Sequence, residues 1–289
     1  MLRGLSLIHQ GKVRDTYAIP GRDDLLLVVA SDRVSTHNIV HASEIPGKGE
    51  ILTAITVGFM KKLAPVQTHL VASGKSIYNY LPNISDLYPT SLYKRAIVVK
   101  RLDMIPIEFI FRSRLAGSLW KSYSSGEVKP YGTNLPKRLE LMSDIRDDNI
   151  LPMFTPTDKS EHDDPLEAAE VELQYPEAYK MALGIYMMGC IWAKARGIEI
   201  IDGKFEIGVD PKTGEMVLAD ECLTPDSCRF VRSEDVCVGL EPPWMDKQIL
   251  RNEAERVWGN NQKHPLVFSS EACLKTIKIY KEIKRILQV

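Results

Sequence analysis

Residues 200–230, IIDGKFEIGVDPKTGEMVLADECLTPDSCRF, read as two strands joined by a turn. Asp210-Pro211-Lys212-Thr213-Gly214 supplies the turn chemistry, because Pro presets φ, Gly accepts positive φ and Asp bonds its own backbone. Alternation along the first strand predicts Ile201, Phe205 and Ile207 on one face and Asp202, Lys204 and Glu206 on the other. Pairing Asp210 with Met216 would set Glu206 directly opposite Asp220 on that polar face. Like charges so placed repel unless a cation lies between them. With room for water and phosphate oxygens, two such carboxylates also suit Mg²⁺. The stretch therefore reads either as the floor of a metal site or as a salt-bridged surface hairpin.

The chain around it is long enough, at 289 residues, to bury a full core and to form two lobes around one cleft. A formal net charge of −1 speaks against broad nucleic-acid binding while allowing a local basic patch. The five cysteines, Cys190, Cys222, Cys228, Cys237 and Cys273, form no CxxC pair and are odd in number, which fits a reduced, cytoplasmic protein. The N-terminal apolar run is too short for a signal peptide, and no later run approaches a membrane span. The expectation is a cytoplasmic monomer or homodimer, with no nucleic-acid and no membrane partner.

Upstream, Gly11-Lys12-Val13-Arg14-Asp15 places a glycine and two cations at one bend between predicted strands. Gly11 lets backbone approach a ligand, and Lys12 and Arg14 share a face, so the bend suits phosphates or is an ordinary charged hairpin. Ser31-Asp32-Arg33-Val34-Ser35 follows the strand Leu25–Ala30 on a loop, a normal place for site residues. Residues 51–63 predict a core helix, with Ile51, Ile55, Phe59 and Leu63 spaced by four. The text from 64 to 93 is loop-rich. Ala96–Lys100 reads as a buried strand whose exit, Arg101–Pro106, can offer backbone groups to a base such as adenine. Residues 107–114 alternate and lead into a helix start near Ser118, where Arg112 and Arg114 would flank a phosphate seat or simply decorate an edge strand. Residues 151–165 form a polar, proline-bracketed loop over the cleft, in which His162 is solvated or catalytic. A long helix from Pro176 to Arg196 stops at Gly197, with Tyr179, Leu183, Met187 and Cys190 as its core stripe. Ser270–Leu287 predicts a terminal helix with Leu274, Ile277 and Ile283 inward.

Taken together, the segments GKVRDTY (11–17), SDRVSTHN (31–38), KRLDMIPIEFIFRSRLAGSLWKSY (100–123), FTPTDKSEHDDP (154–165), IDGKFEIG (201–208) and LADECLTPDSCRF (218–230) resemble the SAICAR synthetases of purine biosynthesis. They fall in that family's order and span most of the chain. The resemblance implies an α+β, two-lobed fold around an ATP cleft. Residues 1–100 would form the β-rich ATP-binding lobe, and 101–289 the larger substrate-binding α/β lobe with C-terminal helices. It also implies the reaction of ATP, carboxyaminoimidazole ribonucleotide (CAIR) and L-aspartate to SAICAR, ADP and phosphate, with Mg²⁺.

The reaction explains the residue types. A carboxylate is a poor electrophile, so ATP converts it to an acyl phosphate that the amine of aspartate attacks. Three anionic substrates call for clustered cations and Mg²⁺. By motif position, the resemblance assigns Gly11, Lys12, Val13 and Arg14 to the ATP phosphates, and Lys100, Leu102 and Met104 to the adenine. Arg112, Ser118 and Arg229 would hold the ribonucleotide phosphate, and Glu206 and Asp220 would hold Mg²⁺. Asp202 and Lys204 would stand beside the reacting carboxylate. Lys159, His162 and Asp163 would line the nucleotide and amino-acid pocket. Many relatives carry Asp where this chain has Asn38, and Cys222 and Cys228 occupy variable positions.

Overall fold

Gly11 makes the first turn of the chain possible. Its N–H bonds the Arg14 carbonyl at 2.8 Å, and a Cβ there would lie 2.9 Å from that oxygen. The turn joins β1 (Ser6–Gln10) to β2 (Arg14–Ile19), and β3 (Arg22–Ala30) pairs with β2 in turn. The computed structural model describes residues 2–82, 88–126, 130–147, 150–160 and 163–289. The stretch after β3, expected as a loop, instead enters a short hairpin of β4 (Arg33–Thr36) and β5 (Ile39–Glu44), which leads into α1 (Lys48–Lys62). Asp32 starts that helix, accepting from Gly49 N–H at 2.9 Å and Gly47 N–H at 3.2 Å. Within the stretch read as loop-rich lies β6 (Leu70–Ser73), followed by α2 (Leu92–Arg95) and the buried β7 (Ala96–Lys100). The first sheet has the order β1-β2-β3-β7-β6.

The second sheet is built on β9 (Ile107–Arg112), preceded by the two-residue β8 (Asp103–Met104) and followed by α3 (Gly117–Ser124). The region expected to be a polar loop over the cleft is instead tied to β9 by β10 (Met153–Phe154) and β11 (Thr157–Asp158), and its first half is buried. Then come α4 (Ala168–Gln174), α5 (Pro176–Lys194), β12 (Ile198–Val209), β13 (Met216–Ala219) and β14 (Cys228–Arg232). The chain closes with α6 (Gln248–Trp258) and α7 (Ser270–Leu287). Among the described residues every strand ladder is antiparallel and the helices pack on the sheets, which makes the fold α+β. No helix among the described residues is long and apolar enough to cross a membrane.

Four details depart from the expectations. In the opening hairpin, Asp210 bonds Glu215, so Val209 pairs with Met216 and Glu206 stands opposite Ala219 rather than Asp220. A bulge between Ile200 and Asp202 shifts the alternation by one. Ile198 and Ile200 therefore share the main core with Phe205 and Ile207, while Ile201 packs with Ala116, Met142, Val231 and Trp244. On α5 the fully buried face is Ala178, Ala182, Ile185, Tyr186, Gly189 and Ala193. Tyr179, Leu183, Met187 and Cys190 flank it, because small residues let the helix lie close to β12. Leu274 of α7 is 68% exposed, whereas Ile283 is buried and Ile277 packs against the core.

Candidate active site

Arg112 ends β9 directly opposite Asp202 of β12. That register sets its Nη1 3.1 Å from Asp202 Oδ2, while Nε donates to Thr155 Oγ1 at 2.9 Å. Arg229 arrives from β14, on the other side of β12, and its Nη1 donates to the same Asp202 oxygen. Burial alone would raise the Asp202 carboxyl, but Arg229 and Arg112 hold it below its ordinary value. At the start of α3, Gly117 has φ 58°, and a Cβ there would fall 2.2 Å from Arg229 Nη2. Glycine is what lets the guanidinium reach the helix start. Ser118 accepts from Arg112 Nη2 at 3.3 Å, and the N-cap residue Ala116 offers no side-chain cap to the helix. Two guanidiniums, a hydroxyl and first-turn N–H groups thus meet at one spot, the makings of an anion seat. Arg114 does not join them. It donates to Glu199 Oε2 at 3.0 Å and to the Met142 carbonyl at 3.1 Å.

Further along β12, Lys204 pairs with Ile110, and two more steps in that register bring Glu206 level with Glu108. Lys204 Nζ lies between the two carboxylates, 2.5 Å from Glu108 Oε1 and 3.5 Å from Glu206 Oε1. Lys159 donates to Glu206 as well. Burial would raise the Glu206 carboxyl; Lys204 and then Lys159 outweigh it and hold it low. Asp220 reaches the same place by a different route. At φ 54° it is a left-handed residue just past β13, which breaks the strand alternation and brings its carboxylate round to the polar side. Arg14 Nη2 donates to Asp220 Oδ2 at 3.0 Å and to Glu221 Oε1 at 2.8 Å. Burial is the strongest influence on Asp220; Arg14 draws its carboxyl down, Glu206 and Glu221 push it up, and it settles at about 6.

These clusters share one cavity of about 1300 Å³, and every candidate residue among those described lines it except Arg114. Its apolar wall comes from Leu26 and Val28 of β3, Ile97 and Val99 of β7, and Leu102 and Met104 beyond. Gly208 admits that linker, since a Cβ would lie 2.9 Å from Leu102 Cβ and 3.0 Å from Met104 Sδ. Lys100 donates to Asp210 Oδ2 at 2.9 Å. Beside Lys159 and Asp163, Asp158 Oδ1 accepts from Ser160 N–H and Asp164 N–H, each at 3.0 Å. His162 lies outside the described residues. Among the described residues no group of three or more His, Cys, Asp and Glu could hold a metal; Glu206 and Asp220 are near enough for one charge to raise the other's carboxyl.

Sequence reasoning missed several residues of this site. Glu108 carried a signal, since it alternates with Ile110 and Arg112 on one face of β9. Glu221 and Asp226 sit in irregular chain, where spacing says nothing about direction. Ser31 and Arg33 turned out to buttress the Gly11 bend: Ser31 Oγ donates to the Val13 carbonyl at 2.8 Å, and Arg33 to the carbonyls of Gly11 at 3.0 Å and Lys12 at 3.1 Å. Lys247 and Arg251 also line the cavity, from the start of α6. Burial brings the Lys247 amine down to about 8.

Comparison with known proteins meets this geometry. The family model for SAICAR synthetase matches residues 7–265. A phosphoribosylaminoimidazole-succinocarboxamide synthase from Thioalkalivibrio sulfidiphilus is 38% identical over 97% of this chain and 94% of its own length. Among solved structures, the SAICAR synthase from Saccharomyces cerevisiae complexed with SAICAR superposes with a TM-score of 0.85. It is 32% identical, and the match covers 99% of this chain and 96% of that one. A type-2 SAICAR synthetase in complex with ADP shares the fold, with a TM-score of 0.68 at 21% identity over 96% of each chain. The chain belongs to the SAICAR synthetase family.

Proposed function

We propose that the protein is an ATP-dependent ligase that joins L-aspartate to CAIR, giving SAICAR, ADP and phosphate in purine biosynthesis. The observation that carries this reading is a single cavity holding two separate cationic centres, one at the start of α3 and one around Arg14 and Lys204. A ribonucleotide phosphate fits the first and a triphosphate the second, so a carboxylate between them would meet the γ-phosphate. Arg112, Ser118 and Arg229 hold the CAIR phosphate in this scheme. Gly11, Lys12, Val13 and Arg14 hold the ATP phosphates, and Lys100, Leu102 and Met104 frame the adenine against the apolar wall. The division at residue 100 then separates an ATP-binding lobe from a substrate-binding lobe.

The CAIR carboxylate oxygen attacks the γ-phosphorus, the bridging P–O bond breaks and ADP leaves. The amine of aspartate then attacks the acyl carbon, the C–O bond to phosphate breaks, and the nitrogen loses a proton. Lys204, held charged by Glu108, Glu206 and Asp220 in spite of burial, positions the reacting carboxylate and offsets charge as it develops. Asp202 holds the two arginines on the phosphate. Lys159 and Asp163 face the amino-acid substrate. Two carboxylates of which one is raised toward neutrality, as Asp220 is, form a weak cation site that phosphate oxygens would complete. Glu206 and Asp220 would hold Mg²⁺ there, and the ion would neutralise charge on the transferring phosphoryl group.

ADP release measured with all three substrates, and with CAIR or aspartate omitted, tests the assignment. ADP should require CAIR. Equal release without it would sink the ligase reading.

A further inference from the structure

The cavity mouth carries a hydrogen-bonded bridge that the roles above leave unassigned. Asn38 sits at the tip of the β4–β5 hairpin, where His37 and Asn38 take φ 50° and 63° in succession and turn the tip over the opening. Lys12 Nζ donates to Asn38 Oδ1 at 2.6 Å, and Asn38 Nδ2 donates to Asp163 Oδ2 at 2.8 Å. An ammonium only donates and an ionised carboxylate only accepts, so the two partners fix which way the amide points. The tip itself is anchored by His37, whose Nε2 lies 2.8 Å from Glu255 Oε1, the oxygen that Lys121 also contacts at 2.5 Å. Next to Asp163, the Asp164 N–H donates to Asp158 Oδ1 at 3.0 Å.

We propose that Asn38 is a positioning residue whose neutral amide locks Lys12, on the phosphate side of the mouth, to Asp163, on the amino-acid side. The role rests on the ligase reading for its meaning, but the bridge itself does not. Only a group with a donor and an acceptor side by side can serve both neighbours. A carboxylate at this position would keep Lys12 and set like charge against Asp163. An apolar side chain would serve neither.

Two measurements test it. The first is amide exchange without ligand at Ser160, Asp163 and Asp164. Asn38→Asp should speed exchange there about five- to tenfold, the scale of one hydrogen bond. The double variant Asn38→Asp/Asp163→Asn exchanges donor and acceptor, re-forms both bonds and should return exchange to within about twofold of the parent. Unchanged exchange in the single variant, or no recovery in the double, overturns the bridge. The second is steady-state kinetics of Asn38→Asp. The KM for aspartate should rise about five- to tenfold while the KM for ATP stays within about twofold. Unchanged KM values alongside altered exchange would overturn the positioning role. A parent that makes no SAICAR but follows the exchange pattern would instead fail the ligase reading and leave the bridge standing.

Discussion

Asp202 Oδ2 accepts from Arg112 and from Arg229, and that shared acceptor aims both guanidiniums at the first turn of α3. Arg112 is buried and Arg229 is about one-eighth exposed, at 12%, and both line the cavity. Truncating one buried partner of a charge pair costs ~2–5 kcal/mol. Arg229→Ala should therefore raise the KM for CAIR by well over tenfold and leave the KM for ATP nearly unchanged. Equal damage to both constants would mean misfolding or another role. Arg114→Ala is the control, since that side chain is tied to Glu199 and Met142 and should leave both constants alone. Gly117→Ala probes the same seat through the backbone. Its Cβ would strike Arg229 Nη2 at a residue of positive φ, so it should mimic Arg229→Ala in the KM for CAIR. Wild-type kinetics for this variant would show that α3 can shift to make room.

At the scale of elements, the β12–β13 hairpin shows what spacing can and cannot convey. Its turn was legible because Asp, Pro and Gly each favour one local geometry, and the polar face of Asp202, Lys204 and Glu206 was legible because alternation is a property of strands. The partner of Glu206 was not legible. A one-residue difference in register and a left-handed Asp220 cancel each other, and neither has a local signal. The bulge at Ile200–Asp202 is hidden for the same reason, as is the small-residue face of α5, which depends on how closely β12 approaches. The site residues came from motif resemblance, and the cavity gathers those that are described, but resemblance gave no hint of Glu108 as the counter-ion of Lys204. The hairpin carries its own prediction. Arg14 keeps Glu221 when Asp220 loses its charge, and Asp220 is itself pushed toward neutrality. Asp220→Asn should lose most activity and need more Mg²⁺, yet melt no lower than the parent without ligand. A clearly less stable variant with unchanged Mg²⁺ dependence would reassign Asp220 to a structural ion pair.

For the molecule as a whole, one tie at the cavity wall joins distant parts of the chain. Lys48, the first residue of α1, is almost fully buried, and its Nζ lies 2.7 Å from Asp226 Oδ2 in the segment between β13 and β14. Tyr280 of α7 donates to the other oxygen of Asp226 at 2.5 Å. One carboxylate thus joins α1, the second sheet and the terminal helix. Burial would raise the Asp226 carboxyl, but Lys48, Lys247 and the Tyr280 hydroxyl hold it below the 3.8 of an ordinary aspartate. The folded protein therefore takes up that proton less readily than the unfolded chain does. The stability this contributes is complete above about pH 4 and is lost as pH falls below it. Lys48→Met strands a buried charge and should destabilise by ~3–5 kcal/mol at neutral pH. Adding Asp226→Asn removes the stranded charge and should recover much of that loss, with a shallower decline in acid than the parent shows. Thermal melts of the three proteins between pH 3 and 8 read both effects. A single variant that melts with the parent, or a double variant whose acid decline is as steep, would show that the three parts are held together by packing alone.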